Sequence, residues 1–312
     1  MKIAFMFPGQ GAQTVGMGKD IYEKYKEAKN IYEKASEITG VDIAKLCFET
    51  DIDTLSKTEN TQIAIATMSL SILEILKKEN INAEIAVGLS LGEYPALIYG
   101  GYLSFNDGMK LLKQRGYLMG NRVQKEEYSM AAVIGLESNV IEEVCKDIQN
   151  SGMFVTTANY NYSGQTVISG LQEGIDKAID ILKQKGAKKV VKLKTGGPFH
   201  TIKLEEAKKE FIKDLEKVEF KQGSIKVIKN IDGTFYNEKD NMKEILSKHI
   251  VSPVRFDKAI ELMINQGIDT FVEIGPGKAL SGFIKKENKD ANIINICDVK
   301  TLENAVSILK GE

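Results

Sequence analysis

The chain has 312 residues, of which 43% are hydrophobic and 27% are charged, a balance that is typical of a folded protein and excludes a disordered one. Its 42 lysines and arginines nearly balance 43 aspartates and glutamates, so the net charge of −1 argues against a nucleic-acid-binding protein with a generally basic surface. Only two histidines, His200 and His249, are present, which excludes a histidine-rich metal site.

The apolar run at residues 2–7 is too short for a signal peptide, and no window approaches the ~18 apolar residues of a membrane span. Three scattered cysteines, Cys47, Cys145 and Cys297, exclude a disulfide framework and fit a reducing compartment. We therefore expect a cytoplasmic protein without a membrane or nucleic-acid partner and without a bound metal.

In the first and last thirds of the chain, apolar strands alternate with helices. The predicted strands are residues 2–7, 84–88, 270–274 and 292–296. The predicted helices are 61–78, which is strongly apolar, 91–99, 105–122, and one helix after each of the last two strands. This alternation predicts a parallel sheet covered by helices on both faces.

The middle third has a different order of elements. Its predicted strands are residues 130–135, 153–159, 165–169 and 188–194, and its predicted helices are 138–150 and 171–186. The resulting order, β-α-β-β-α-β, is that of the ferredoxin-like unit. We therefore predict an α/β fold in which a parallel-sheet body, residues 1–126 and 199–312, is interrupted by a ferredoxin-like subdomain, residues 127–198.

A G-x-S-x-G pentapeptide at residues 88–92 lies between a predicted strand and a predicted helix. In that context the glycines allow a tight turn that exposes the Ser90 hydroxyl at a helix N-terminus. The backbone N–H of Leu91 would then point to where an oxyanion forms. An ordinary helix N-cap is the alternative role of Ser90, but the strand–turn–helix context favours a nucleophile.

A serine nucleophile needs a base, and the two histidines are the candidates. His200 lies in the loop 196–201, where the chain leaves the predicted insert, and a cleft between two parts of a fold is a common ligand site. His249 lies at a lysine-rich helix end, where a surface or C-capping side chain is expected. His200 is therefore the predicted base.

Five blocks, taken in order, carry a resemblance to a known family. They are Phe-Pro-Gly-Gln-Gly-Ala-Gln at 7–13, Gly-Leu-Ser-Leu-Gly-Glu at 88–93, Arg-Gly-x-x-Met at 115–119, Pro-Phe-His at 198–200, and Glu-Ile-Gly-Pro-Gly at 273–277. With them the sequence resembles the malonyl-CoA:acyl-carrier-protein transacylases of bacterial fatty-acid synthesis. That family has a hydrolase-like α/β body with a ferredoxin-like insert, which is also the fold predicted above.

The resemblance implies a role for each matching residue. Ser90 would be acylated, His200 would be its base, and the backbone N–H groups of Gln10 and Leu91 would form the oxyanion hole. Arg115 would bind the malonyl carboxylate, because a planar guanidinium matches a carboxylate with two parallel hydrogen bonds. From the sequence pattern alone, Arg115 is expected to be a solvated helix arginine. Its role in substrate binding is therefore assigned by the resemblance.

Further positions follow from the same resemblance. The position of His249 matches a residue whose backbone carbonyl orients the base, a role that needs no particular side chain. Asn161, Met119 and Phe199 would bind substrate, and Asn161 and Gln165 would lie in one loop that lines the cleft. A bulky Phe199 before the base is typical of malonyl transferases, because it crowds an α-methyl branch; one methyl group discriminates by only ~1–3 kcal/mol.

The chain departs from the family pattern at two places. Leu89 replaces the usual histidine before the nucleophile, which changes the packing under Ser90 without removing the base. Tyr162 and Ser163 stand where the family often has Ser-Pro, so this part of the cleft wall is expected to differ.

The resemblance implies malonyl-CoA and acyl carrier protein as partners, no bound cofactor, and a ping-pong transfer. The chain length without linkers favours a fatty-acid carrier protein over a polyketide one, and monomer is the expected state. An acidic carrier could dock on one of two lysine clusters, although either could equally be a solvated face: Lys188, Lys189, Lys192 and Lys194, or Lys285 and Lys286. A polyketide-type acyltransferase, a serine esterase or thioesterase, and a non-catalytic module remain alternatives.

Overall fold

The computed structural model describes residues 1–123, 127–194 and 197–311. Its strands are β1 Ile3–Phe7, β2 Ile85–Gly88, β3 Tyr128–Ile134, β4 Val155–Tyr162, β5 Gln165–Leu171, β6 Lys189–Lys192, β7 Lys226–Val227, β8 Val254–Arg255, β9 Thr270–Ile274 and β10 Asn292–Ile296. Its helices are α1 Lys19–Lys24, α2 Lys26–Thr39, α3 Ile43–Phe48, α4 Ile52–Leu55, α5 Thr58–Lys78, α6 Glu93–Gly100, α7 Phe105–Asn121, α8 Ser138–Asn150, α9 Gln172–Gln184, α10 Glu205–Leu215, α11 Met242–His249, α12 Phe256–Asn265, α13 Ala279–Glu287 and α14 Val299–Lys310.

The predicted parallel sheet is confirmed, with strand order β10-β9-β1-β2-β7 and every pairing parallel. Successive side chains of β1 point to opposite faces. Phe5 and Phe7 join the apolar cluster that includes α5 and α7, whereas Ala4 and Met6 join the cluster that includes α12 and α13. The sheet is therefore covered on both faces, and the carboxyl ends of β1 and β2 lie side by side at one edge.

A second sheet holds the predicted ferredoxin-like unit, in the order β6-β3-β5-β4-β8. The four strands β3 to β6 pair antiparallel, and α8 and α9 pack against one face of them. On the other face, Met130, Ala158 and Val167 belong to the same apolar cluster as α5 and α7. The β8 strand, which comes from residues after the insert, adds to β4 in parallel and so extends this sheet.

Several boundaries differ from the prediction. The strand predicted at 153–159 continues to Tyr162, so Asn161 and Gln165 lie on β4 and β5 instead of in a loop. A 3-10 turn, Ser90–Gly92, precedes α6, and the long apolar helix begins at Thr58. The predicted division of the chain at residues 126/127 and 198/199 stays a prediction. Residue 126 lies outside the described residues, and so does Gly196 of the predicted loop 196–201.

Candidate active site

Ser90 lies in a tight turn directly after β2, and its backbone has a positive φ of 55°. A Cβ at Gly88 would lie 1.9 Å from the carbonyl carbon and oxygen of Gly92, so only glycine allows the chain to turn back so closely. A positive φ at a residue other than glycine costs about 1–3 kcal/mol, and such strain is concentrated at functional sites. The turn exposes the hydroxyl of Ser90 as the pentapeptide predicts.

His200 faces this hydroxyl, with 2.8 Å between Ser90 Oγ and His200 Nε2. On the other side of the ring, Nδ1 lies 3.0 Å from the carbonyl oxygen of His249. A carbonyl oxygen only accepts hydrogen bonds, so Nδ1 carries the ring proton and Nε2 offers a lone pair to Ser90. The predicted pair of nucleophile and base is thus within hydrogen-bond distance.

The surroundings of His200 favour the neutral form of its imidazole. Burial lowers its pKa well below 6.5, and the nearby His249 and Arg115 lower it further. Hydrogen bonding to the backbone of His249 and Ser252 acts in the opposite direction but does not outweigh burial. A neutral imidazole is the form that can accept the Ser90 proton.

Arg115, on α7, is fully buried, so the solvated arginine expected from the sequence pattern alone is wrong. Its Nη1 donates to Gln62 Oε1 at 2.8 Å and its Nη2 donates to Ser90 Oγ at 3.1 Å. No carboxylate of the described residues forms an ion pair with it, and its Nε has no hydrogen-bond partner there. A buried cation without an anionic partner is costly, which indicates an anionic ligand at this place.

The loop after β1 approaches the turn that carries Ser90. A Cβ at Gly9 would lie 2.7 Å from the carbonyl oxygen of Leu89, so the glycine is what allows the contact. Gln10 donates from Nε2 to Thr58 Oγ1 at 3.5 Å, which links the same loop to the start of α5. Gln10 and Leu91, whose N–H groups are the predicted oxyanion hole, therefore lie on neighbouring loops at one edge of the sheet.

A cavity of about 500 Å³ opens over Ser90 and His200. Residues from both sheets line it, and they include the predicted substrate-binding side chains of Met119, Asn161 and Phe199 together with Gln10 and Leu91. Asn161 donates to Gln165 Oε1 at 2.7 Å, so the two predicted cleft residues contact each other. Leu89 also lines the cavity, in place of the histidine that is usual in the family. The volume is that of a small-molecule site.

The expectation of a surface histidine at position 249 is wrong. His249 is fully buried, and its ring stacks on that of His200 with 5.1 Å between centroids and 26° between planes. Its Nδ1 lies 2.7 Å from Glu93 Oε2. The lysines around it suggested a solvent-exposed helix end, but α11 ends inside the protein and places both the carbonyl and the ring of His249 behind His200.

Three residues of the site were not predicted: Gln62, Glu93 and Asn230. Gln62 is a polar residue within the strongly apolar helix α5, a signal that could have pointed to it. Glu93 closes the pentapeptide block and is fully buried. Asn230, whose Oδ1 accepts from the Ser90 backbone N–H at 2.8 Å, follows the short strand β7 and carries no sequence signal.

In the part of the chain that the structure describes, no helix is long and apolar enough to cross a membrane. Over the same residues, no group of three or more His, Cys, Asp or Glu side chains is placed to hold a metal ion.

A family model described as "Acyl transferase domain" matches residues 4–302. The malonyl CoA-acyl carrier protein transacylase of Bacillus subtilis is 39% identical over 311 residues, which are 100% of this chain and 98% of that protein. The crystal structure of the malonyl CoA-acyl carrier protein transacylase from Clostridium perfringens has a TM-score of 0.95 and 41% identity, and the match covers 100% of this chain and 98% of that one. A malonyl-transacylase in complex with a type II PKS acyl-carrier protein has a TM-score of 0.95 and 29% identity, with both chains fully covered. The resemblance drawn from the five blocks is confirmed, and the chain belongs to the acyl transferase family.

Proposed function

We propose that this protein transfers a malonyl group from malonyl-CoA to the phosphopantetheine thiol of acyl carrier protein, through a malonyl-Ser90 intermediate. The observation that carries the proposal is the fully buried Arg115, which has no carboxylate partner among the described residues and lies 3.1 Å from Ser90 Oγ. A malonyl thioester is an acyl group whose far end is a carboxylate. The relatives that cover the whole chain bear this activity in their names.

In the first half-reaction, the malonyl carboxylate binds the Arg115 guanidinium and brings its thioester carbonyl to Ser90. Gln62 Oε1, which accepts from Arg115 Nη1, keeps the guanidinium in place. Ser90 Oγ attacks the carbonyl carbon while its proton passes to His200 Nε2. The backbone N–H groups of Gln10 and Leu91 hold the oxyanion.

The tetrahedral intermediate collapses when the carbon–sulfur bond breaks. The sulfur of CoA takes the proton from His200 Nε2 and leaves as a thiol, so malonyl-Ser90 remains and His200 is neutral again. The carbonyl of His249 accepts from Nδ1 and stabilises the imidazolium that exists between the two proton transfers.

In the second half-reaction, the thiol of the carrier's phosphopantetheine enters in place of CoA. It gives its proton to His200 Nε2 and attacks malonyl-Ser90, and the Ser90 oxygen leaves and recovers the proton. Because one product departs before the second substrate binds, the kinetics are ping-pong.

The remaining parts of the proposal concern partners and setting. The protein needs no cofactor or metal, and it works as a cytoplasmic monomer that binds neither membrane nor nucleic acid. Its acceptor is a fatty-acid carrier protein. The carrier docks on one of the two lysine clusters, Lys188, Lys189, Lys192 and Lys194 or Lys285 and Lys286, of which Lys192 is paired with Asp176.

The test supplies malonyl-CoA with a fatty-acid or a polyketide carrier protein and measures malonyl-carrier and free malonate. We expect malonyl-carrier to form with parallel double-reciprocal plots, and Ser90→Ala to abolish it. Rapid release of malonate without carrier would assign a thioesterase instead. Faster transfer to the polyketide carrier would assign that acceptor, and no turnover of any kind would leave a non-catalytic module.

A further inference from the structure

A buried polar network lies behind the Ser90–His200 pair and is not used in the mechanism above. Its centre is Glu93, the first residue of α6, which is fully buried. Glu93 Oε1 accepts from the backbone N–H of Asn230 at 3.0 Å and from the Tyr236 hydroxyl at 2.8 Å. Glu93 Oε2 lies 2.7 Å from Nδ1 of His249. A carboxylate removed from water is costly unless donors of this kind surround it.

One arm of this network reaches the nucleophile. The Asn230 side chain donates from Nδ2 to the Gly88 carbonyl at 2.8 Å and accepts from the Ser90 backbone N–H at 2.8 Å. It therefore ties together the strand end and the strained residue of the turn. Since Glu93 accepts from the backbone N–H of the same Asn230, the position of the turn depends on that carboxylate.

The other arm reaches the base. His249 ends α11, its carbonyl lies 3.0 Å from His200 Nδ1, and its ring stacks on the ring of His200. Neither nitrogen of its ring forms a hydrogen bond of regular geometry among the described residues, and the 2.7 Å ion-pair contact with Glu93 Oε2 is the close polar contact of its side chain. Burial lowers the pKa of His249 although Glu93 opposes this, and a neutral ring has its single N–H to offer at Nδ1.

We propose that the His249 side chain is a positioning residue for the transfer reaction. Its contact with Glu93 anchors the helix end whose carbonyl orients His200, and the same carboxylate anchors the Ser90 turn through Asn230. One buried contact thus sets the distance between nucleophile and base. The inference rests on the proposed function, which assigns those roles to Ser90 and His200, and it differs from the expectation that position 249 needs no particular side chain.

The test compares three variants of the full chain. His249→Leu keeps a similar volume but removes the donor, whereas His249→Asn places an amide N–H where Nδ1 stands. Leu246→Ala truncates another fully buried side chain of α11 and leaves the Glu93 contact intact, so it controls for loss of stability alone. All rates are measured below the melting temperature of each variant.

Two rates are measured for each protein: formation of malonyl-Ser90 at varied malonyl-CoA, and labelling of Ser90 by a small uncharged fluorophosphonate. A misplacement of about 1 Å at a reacting group costs about 10²-fold, so we expect His249→Leu to lower both maximal rates by about that factor. The malonyl-CoA concentration at half-maximal rate should not change, because Arg115 and the cavity wall are untouched. His249→Asn should recover most of the loss, and Leu246→Ala should retain the native rates.

The inference is overturned if His249→Leu loses less than about tenfold, if His249→Asn is as slow as His249→Leu, or if Leu246→Ala is equally slow. The fluorophosphonate separates this failure from failure of the proposed function. If the native protein forms no malonyl adduct but is labelled at Ser90, and His249→Leu slows the labelling, the positioning role stands and malonyl transfer does not.

Discussion

The two walls of the cavity present different kinds of residue. The polar wall includes Gln10, Gln62, Ser90 and His200, and the buried Arg115 lies behind it, where it donates hydrogen bonds to Gln62 and Ser90. The antiparallel-sheet wall consists of Met130, Asn159, Asn161, Val167 and Leu193, which lie on or directly after the strands of that sheet.

The difference indicates that the polar wall supplies the reactive groups, whereas the antiparallel-sheet wall determines which acyl group fits. The polar wall includes two of the three non-glycine residues of positive φ in the described part of the chain, Ser90 and His200, and the buried cation Arg115 lies directly behind it, so strain and charge are concentrated there. The antiparallel-sheet wall has neutral side chains, and its strands pair regularly except for register shifts in β4 next to Asn159 and Asn161. Substitutions in the polar wall should therefore change rates by large factors, and those in the other wall should change mainly which acyl group fits.

The largest effect is expected for His200→Ala. Without the imidazole, Ser90 keeps its proton, and formation of malonyl-Ser90 should slow by about 10²–10⁴-fold in rapid-quench mass spectrometry. His249 is not placed to substitute, because neither nitrogen of its ring forms a hydrogen bond with Ser90 in the described part of the chain. If a folded His200→Ala protein loses less than about tenfold in this rate, His200 is not the base and the polar wall does not supply the reactive groups.

Arg115→Ala is expected to act on the choice of acyl group as well as on rate. Loss of the guanidinium removes charge-assisted hydrogen bonds to a carboxylate, each worth about 1.5–3 kcal/mol, so the preference for malonyl-CoA over acetyl-CoA should fall by about 10–100-fold. Gln62→Leu, which removes only the acceptor of Nη1, should give a smaller fall in the same ratio. Equal losses for malonyl and acetyl transfer would contradict the assigned role.

A smaller effect is expected at Phe199, which lines the cavity next to His200. Phe199→Ala makes room for an α-methyl branch, and since a methyl group discriminates by about 1–3 kcal/mol, methylmalonyl transfer should gain about tenfold relative to malonyl transfer. Val167→Ala, on the antiparallel-sheet wall, is the comparison variant: it removes less volume than Phe199→Ala, so it should change the ratio less while retaining the malonyl rate. The two ratios come from competition between the two CoA thioesters. A larger change of this ratio in Val167→Ala than in Phe199→Ala would mean that Val167, and not Phe199, crowds the α-methyl branch.

The rate of reaction at Ser90 should not change around pH 6.5, where an ordinary histidine titrates. Burial holds the pKa of His200 well below 6.5, so the neutral base persists as pH falls through 6.5 and is lost only in more acidic solution. The rate of Ser90 labelling by an uncharged fluorophosphonate should therefore be flat across pH 6.5. A half-maximal rate near that pH would mean that His200 titrates like an exposed side chain.

The sequence predicted β1 to β6, β9 and β10 with helices α5 to α9, α13 and α14, because apolar periodicity and glycine turns are local signals. The two-residue strands β7 and β8 were not predicted. It also predicted Ser90 and His200, since a G-x-S-x-G turn needs a base and only two histidines exist. Arg115, Gln10 and the carbonyl at position 249 came from the resemblance, because neither a helix arginine nor a backbone group has a local pattern that shows its role.

The parts that could not be predicted depend on contacts between distant segments. Asn230 and Glu93 meet across more than a hundred residues, and His249 is buried by an approach of α11 that its lysine-rich neighbours do not indicate. The helices α1 to α4, α10 and α12 were likewise not predicted, and of α11 only its end at His249 was expected. Burial of a charged or polar side chain is set by the tertiary fold, so no local pattern reports it.

The most direct test of the account is to find where the malonyl group is held. The native protein is mixed with malonyl-CoA, quenched in acid, digested and analysed by mass spectrometry. The account predicts a malonyl ester on Ser90 that is absent from Ser90→Ala and disappears from the native protein when acyl carrier protein is added before the quench. A malonyl group on any other residue, or full transfer activity in Ser90→Ala, would contradict it.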